Sequence, residues 1–195
     1  MITKTIFGLV APAALVSTLA MGQAAAHVIT FDDLPGNTTV SNEYPGVFFS
    51  GAKVPEADVF APDFFPPVSQ SQVVYNLLAE IRVATLGAWS EVGGFITGNA
   101  AITLAAYDSS DVLLGSVSTP GENYVTSGRD PNIFLSVASS AGIAYAIFRG
   151  PGANTFTLDN FTYAVVPLPG ALLLFGSALA GLLTFGARPR VRHED

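Results

Sequence analysis

The chain of 195 residues contains no cysteine and only two histidines. Without cysteine there is no disulfide, no thiol nucleophile and no cysteine-ligated zinc site. His27 is the one histidine of the central region, and a serine–histidine–acid triad would have to recruit it. Neither a G-x-S-x-G elbow nor a G-K-[ST] phosphate loop is present. We therefore predict that the protein is not an enzyme, with a glycosidase that uses paired carboxylates as the alternative.

Charged residues are also scarce, at 12% of the chain, and they are unevenly distributed. Two segments, 5–26 and 161–187, carry no charge at all. Residues 27–166 hold thirteen acidic side chains against four basic ones, a formal charge of −9. This region of about 140 residues suffices for one domain with a core of its own. Its acidity repels phosphate backbones and excludes nucleic acid as a partner.

The first uncharged segment has the features of a secretory signal peptide spanning residues 1–26. Lys4 supplies the positive start, and residues 6–19 form an apolar stretch rich in alanine, leucine and valine. Ala24 and Ala26 provide the small side chains that signal peptidase requires. The alternative is an uncleaved membrane anchor. We expect cleavage after Ala26 and export of the domain at residues 27–165.

The second uncharged segment belongs to a C-terminal tail with three parts in a fixed order. A short motif comes first, formed by Val166, Pro167, Leu168, Pro169 and Gly170. An apolar stretch at residues 171–187 follows, and its length predicts a transmembrane helix. Three basic residues come last: Arg188, Arg190 and Arg192. By the positive-inside rule they place this end in the cytoplasm and the domain outside.

In this order, residues 166–192 resemble the PEP-CTERM class of bacterial sorting signals, in the VPLPA variant. Gly170 stands where that variant usually has alanine, a small residue for a small one. The resemblance implies a protein that is anchored in the inner membrane only transiently. An exosortase-like membrane peptidase would then process the tail and leave the protein at the cell surface or outside the cell. The alternative is an ordinary C-terminal anchor.

The central region reads as a series of short strands separated by turn residues. Nine β-branched or aromatic runs recur at intervals of about ten residues, which predicts an all-β, antiparallel β-sandwich. A short helix is expected at 71–78. Two long irregular stretches, 55–69 and 119–132, are candidate binding loops.

The runs at 29–35, 46–50 and 156–162 resemble jelly-roll domains similar to galactose-binding-like and carbohydrate-binding modules. The resemblance implies a polysaccharide as a partner, and many such modules hold a structural calcium ion. Asp32, Asp33 and Asp159 lie at matching ends of the first and last strands and supply the oxygen ligands that calcium prefers. The alternative is that these acids cap turns or face solvent. No other cofactor is predicted.

Aromatic side chains are the candidate sugar platforms. Trp89, which follows a probable turn, and Tyr44 are the candidates we favour, and Tyr75 and Tyr107 are further ones. The alternative is that these rings belong to the core. Three functions therefore stay open: a non-catalytic polysaccharide-associated surface or matrix protein, a calcium-stabilised structural surface protein, and a glycoside hydrolase with a carboxylate pair.

Overall fold

A computed structural model describes residues 25–56, 63–69 and 72–166. Within these ranges the regular structure consists of strands, and every strand pair is antiparallel. The ten strands are β1 (Ala26–Ile29), β2 (Thr39–Val40), β3 (Val47–Ser50), β4 (Ala52–Lys53), β5 (Val74–Asn76), β6 (Glu80–Gly98), β7 (Thr103–Tyr107), β8 (Leu113–Ser118), β9 (Ile133–Arg149) and β10 (Phe156–Val165).

Two long strands, β6 and β9, run through the whole domain side by side. Residues 80–84 of β6 pair with 149–145 of β9, and residues 91–96 pair with 138–133. Between these stretches the register shifts at Trp89, and both strands bend. Gly142 lies at the bend of β9 with a φ of 88°, a backbone conformation that side chains with a Cβ rarely adopt. The bends let one continuous sheet fold over on itself.

The folded sheet forms two layers. The first layer contains β1, β2, β4, β5 and β10 beside the later half of β6 and the earlier half of β9. The second layer contains β3, the earlier half of β6, the later half of β9, β7 and β8. Side chains alternate along each strand, so every second residue of a layer faces the other layer.

Aromatic rings from both layers meet in the core between them. The fully buried ring of Phe161, on β10, lies 5.5 Å from Phe49 on β3 and 6.3 Å from Phe148 on β9, edge to face in both cases. Trp89 and Phe31 join the same core. Each such ring contributes about 1.5–3 kcal/mol through its burial. The core thus explains why the sheet folds over despite having no disulfide.

The outer face of the first layer is covered by residues 63–69 and 119–132, which belong to the two long irregular stretches. Thr157 and Asp159 alternate with the core residues of β10 and so face outward, yet both are 2% exposed. The segment at 63–69 lies over Asp159, and the segment at 119–132 is held through Asn123, whose side chain bonds to Ile96 and Gly98 of β6. The two segments also contact each other, because Val125 N donates to Phe64 O over 3.0 Å.

The predicted architecture requires three corrections. We expected four separate strands at 80–85, 92–97, 133–137 and 143–148. The first two are parts of one continuous strand, β6, and the last two are parts of β9. Residues 74–76 of the expected helix at 71–78 form β5, which pairs with β4 and β10. Third, the described residues form an all-β antiparallel sheet alone, without the membrane-spanning helix that the predicted architecture also included. The predicted transmembrane helix at 171–187 lies outside the described residues.

Candidate ligand-binding site

In contrast to the first layer, the second layer presents an open outer face. Its cross-strand registers align the outward side chains in three rows that run across the strands. The aromatic row contains Phe48, Ala84, Tyr145, Tyr107 and Leu113. The middle row contains Ser50, Arg82, Ile147, Ala105 and Ser116. The polar row contains Glu80, Arg149, Thr103 and Ser118.

A groove of about 320 Å³ follows the middle row where its side chains are short. Ala105, Ser116 and Ile147 form the floor, and the longer side chains of the two flanking rows rise on either side. The lining residues are Thr103, Ala105, Tyr107, Leu113, Ser116, Ile147 and Arg149. The groove therefore follows from the alternation of short and long residues in neighbouring rows of one sheet face.

The aromatic wall of the groove is a stack of fixed geometry. The rings of Tyr107 and Tyr145 lie 4.9 Å apart and 12° from parallel, and the Arg82 guanidinium lies 3.7 Å from the centre of the Tyr145 ring. The Tyr145 hydroxyl donates a 2.7 Å hydrogen bond to Asp111 Oδ1. Burial, followed by this hydrogen bond, raises the pKa of Tyr145, so the ring stays neutral. The wall is thus ordered before any ligand arrives.

The opposite wall is polar. Arg149 donates to Glu80 Oε2 through Nε at 3.1 Å and through Nη2 at 2.7 Å, and both side chains remain accessible to solvent. The hydroxyl groups of Thr103 and Ser118 lie 2.8 Å apart and share a hydrogen bond. The groove therefore combines a largely apolar floor, an aromatic wall and a wall of hydrogen-bonding groups, the usual composition of a small-molecule site.

Trp89, a predicted ligand residue, lies elsewhere. It is 1% exposed at the bend of β6, with its ring 5.3 Å from Tyr163 and 5.9 Å from Phe161. No face of the indole is open to a sugar in this arrangement. The location agrees with the alternative of a core residue, and we correct the ligand role accordingly.

The other predicted platforms lie apart from one another. Tyr44 is half-buried against Phe31 and Phe49, and its hydroxyl donates a 2.7 Å hydrogen bond to Asp33 Oδ1. Burial, followed by the bond to Asp33, raises the pKa of Tyr44. Tyr75 lies on β5 in the first layer. Only Tyr107, of the four rings, lines the groove.

The three acids predicted to hold calcium are engaged with protein groups. Asp32 Oδ1 accepts from Gln72 N at 3.0 Å, and Asp33 accepts from Tyr44. Asp159 accepts from the backbone N–H groups of Val68, Ser69 and Asn160 and from the Ser69 hydroxyl, at 2.6–3.1 Å. Within the described ranges, no group of three or more His, Asp or Glu side chains is placed to hold a metal. The residues present do not fit a calcium site formed by these acids.

Asp159 has a structural role in this arrangement. Its burial raises the pKa of the carboxyl, and the donors from Ser69, Val68 and Asn160 oppose that rise. Through these bonds it ties the segment at 63–69 to β10. The carboxylate thus secures the cover over the first layer.

The predicted processing sites lie at the ends of the domain. Ala26 opens β1 and pairs with Ala164, so both ends of the described chain leave from neighbouring strands. Val166 directly follows β10, and its N–H donates to Ala88 O over 3.1 Å. The remaining signal residues lie outside the described part of the chain: Ala24, Pro167, Leu168, Pro169, Gly170, Arg188, Arg190 and Arg192.

No protein-family model matches the chain, and no curated protein matches it. Several solved structures do resemble it. The K2 cleaved adhesin domain of Lys-gingipain is 14% identical, covers 73% of this chain and 99% of its own, and gives a TM-score of 0.46. A family 29 carbohydrate-binding module is 11% identical, with coverage of 73% and 90% and a TM-score of 0.42. A mutant of such a module complexed with cellulohexaose is 12% identical, with coverage of 72% and 91% and a TM-score of 0.42. At TM-scores below 0.5, nothing about the ligand of this chain follows from these similarities.

Proposed function

We propose that this chain is an exported, non-catalytic protein that binds a polysaccharide in the groove on the outer face of its second layer. The observation that carries the proposal is the groove itself, a concave surface that no other segment of the described residues covers. It lies on paired strands of one sheet, so a ligand would meet a rigid surface and not a loop that must first be ordered.

The chemistry of the groove suits a sugar chain. Sugar rings present C–H surfaces that attract aromatic faces and hydroxyl groups that need hydrogen-bond partners. Tyr107 offers an aromatic wall, and Thr103, Ser116 and Arg149 offer donors and acceptors along the other side and the floor. The short side chains of Ala105 and Ser116 leave space for the ring between these walls.

Retention on insoluble polysaccharides, followed by affinity electrophoresis with soluble ones, tests this proposal on the purified full-length chain. We expect retention on at least one polymer and a loss of about tenfold or more in affinity when Tyr107→Ala removes the wall. Tyr163→Ala, a tyrosine of the first layer, serves as a matched control and leaves binding unchanged provided that the variant is folded. Retention on no polymer of a broad panel would contradict the proposal and favour a purely structural surface protein.

We further propose that the tail at 166–192 directs this protein to an exosortase-like peptidase, after signal peptidase has cut behind Ala26. The motif starts at the residue after β10, so a peptidase would find it beside a folded domain. The sequence places two prolines in this motif, and proline disfavours a helix at its own position and at the preceding residue, as a peptidase that needs an extended substrate requires.

The intact mass of the protein recovered from outside its native cells tests this second proposal. We expect a chain that begins at His27 and ends near Pro169. Recovery of a chain that still contains Arg192 would contradict processing of the tail. Arg188→Ala, Arg190→Ala and Arg192→Ala combined should leave the precursor unprocessed.

A further inference from the structure

We infer that the groove takes an inner stretch of a linear polysaccharide that carries carboxylates, and that Arg82 pairs with one of them. The inference rests on the proposed polysaccharide binding and adds its specificity. Three features of the second layer support it: the ends of the middle row, the charge of the face and the surroundings of Arg82.

The middle row runs from one edge of the layer to the other. It starts at Ser50 on β3, crosses Arg82, Ile147 and Ala105, and ends at Ser116 on β8. β8 ends the order of strands, and β3 pairs with β6 alone among the strands of the described residues. With strands about 4.8 Å apart, the row is about 19 Å long. Short serines occupy both ends of the row; the groove itself is lined from β7, β8 and β9, so a chain that follows the row from it to the β3 edge passes Arg82.

The outer face of the second layer differs in charge from the rest of the domain. Its three rows contain one acid, Glu80, and two bases, Arg82 and Arg149, and Asp111, which accepts from Tyr145 at the end of the aromatic row, brings the formal charge of the face to zero. Residues 27–166 as a whole carry a formal charge of −9. At physiological ionic strength charges are screened beyond about 8 Å, so a bound chain responds mainly to the local charge. The face therefore lacks the net negative charge of the domain as a whole, and Arg82 is its cation without a salt bridge.

Arg82 is the exposed cation of this face that is not in a salt bridge. Among the described residues the salt bridge that forms joins Arg149 to Glu80, and Arg82 instead lies over the Tyr145 ring. An arginine that stacks on a ring keeps the donors at the edge of its guanidinium available for hydrogen bonds. Tyr145 is itself held by Tyr107 and by Asp111. The guanidinium is thus positioned in the row, and its fork of donors matches a carboxylate in two-point geometry.

A pair of polymers that differ only in charge tests the inference. The full-length chain is titrated with polygalacturonate and with its fully methyl-esterified form, which keeps the backbone and neutralises the carboxylates. We expect the acidic polymer to bind about tenfold more tightly, because hydrogen bonds to charged groups are stronger than neutral ones. Raising the salt concentration should reduce this difference.

Variants of Arg82 test whether this residue causes the preference for the acidic polymer. Arg82→Gln should bring the two affinities to within about twofold, whereas Arg82→Lys, a cation without the fork, should keep part of the preference. Arg129→Gln changes the net charge equally on a loop of the other layer and should leave the preference intact. Equal affinity of the unmodified chain for both polymers, or an unchanged preference in Arg82→Gln, would overturn the inference.

The two polymers also separate the inference from the function on which it rests. If Tyr107→Ala abolishes binding of both polymers while Arg82→Gln affects neither, the groove binds sugar and the role of Arg82 is wrong. If neither polymer nor any other is retained, the proposed function fails and the inference fails with it. Chemical reduction of the terminal sugar of an oligomer should not weaken its binding, since the groove holds inner sugar units of the chain. A large loss of affinity would contradict a groove that is open at both ends.

Discussion

The two layers of one sheet use their outer faces differently. On the first layer, outward residues such as Thr157 and Asp159 are almost fully buried beneath two irregular segments. On the second layer, outward residues on equally regular strands line an open groove. The inward faces of both layers contribute to one core. The difference shows that the irregular segments act as structural cover, and that the strands themselves supply the surface that is left for a ligand.

The segments that cover the first layer, 63–69 and 119–132, are held by buried polar groups whose hydrogen-bond partners lie in the same domain. Asn123, 0% exposed, donates to Ile96 O and accepts from Gly98 N, and Asp159 accepts four hydrogen bonds. Such bonds, together with the stacked rings of Phe65 and Tyr124, hold the two segments in place. The groove has the opposite character, because its polar groups remain accessible to solvent. Variants of the two regions should therefore affect different properties.

The largest effect is expected in the core that both layers share. Trp89→Ala removes a buried indole and should lower the free energy of unfolding by about 3–5 kcal/mol, measured by chemical denaturation. Trp89→Phe keeps most of the side-chain volume and should lower the free energy of unfolding clearly less. Unchanged stability together with a loss of polysaccharide binding would restore the ligand role that the sequence suggested for Trp89.

The next largest effect concerns the cover. Asn123→Ala leaves the buried Ile96 carbonyl and Gly98 N–H without their side-chain partner, at about 1–3 kcal/mol for each group. Amide hydrogen exchange should rise in residues 119–132, while polysaccharide affinity stays as it is. Asn99→Ala, an exposed asparagine nearby, is the matched control and should change little. A loss of binding in folded Asn123→Ala would show that the cover takes part in recognition.

A smaller, pH-dependent effect should come from Asp159. Because its pKa in the folded state is raised, the folded protein binds this proton more tightly than the unfolded chain does. The stability that Asp159 contributes is therefore complete below the ordinary aspartate pKa of 3.8 and is lost as pH rises through the raised value. Relative to Asp159→Asn, the unmodified protein should lose stability as pH rises through this window.

Denaturation of the two proteins between about pH 4 and about pH 7 measures the difference. A gain in the relative stability of the unmodified protein with rising pH would contradict a raised pKa. It would mean that the four donors outweigh the burial of the carboxylate and that its pKa in the folded state lies below the ordinary value.

The sequence was sufficient for the class of fold but not for the lengths of its strands. Alternating apolar residues such as Leu104 and Ala106 provide a clear signal, and the all-β, antiparallel prediction is confirmed. The bends of β6 and β9 contain glycine and serine, which in a sequence look like turns, so the sequence predicts each long strand as two. Two-residue strands such as β2 are too short to show a period.

The position of the groove could not be predicted from the sequence, for a related reason. Its residues come from β7, β8 and β9, and only the cross-strand registers place Ala105 beside Ile147 and Ser116. The outward positions of the run at 101–107 are the one signal that could have singled out Tyr107 above the other candidate rings. Trp89 was misplaced because it follows Gly87 and Ala88, whereas the bend turns its ring toward the core. Charge alone offers no reason to separate Arg82 from the other bases.

The smallest effect on stability is expected from Glu80→Gln. This variant also tests most directly whether the outer faces of the two layers differ as binding surfaces. The Glu80–Arg149 pair is exposed, so its loss should cost at most about 1 kcal/mol of unfolding free energy. The change frees Arg149 at the wall of the groove, and binding of polygalacturonate should become about two- to fivefold tighter. Glu91→Gln makes the same change of charge on the first layer and should leave affinity unaltered. If both variants gain affinity equally, the polymer responds to the overall charge of the domain and the two faces do not differ as binding surfaces.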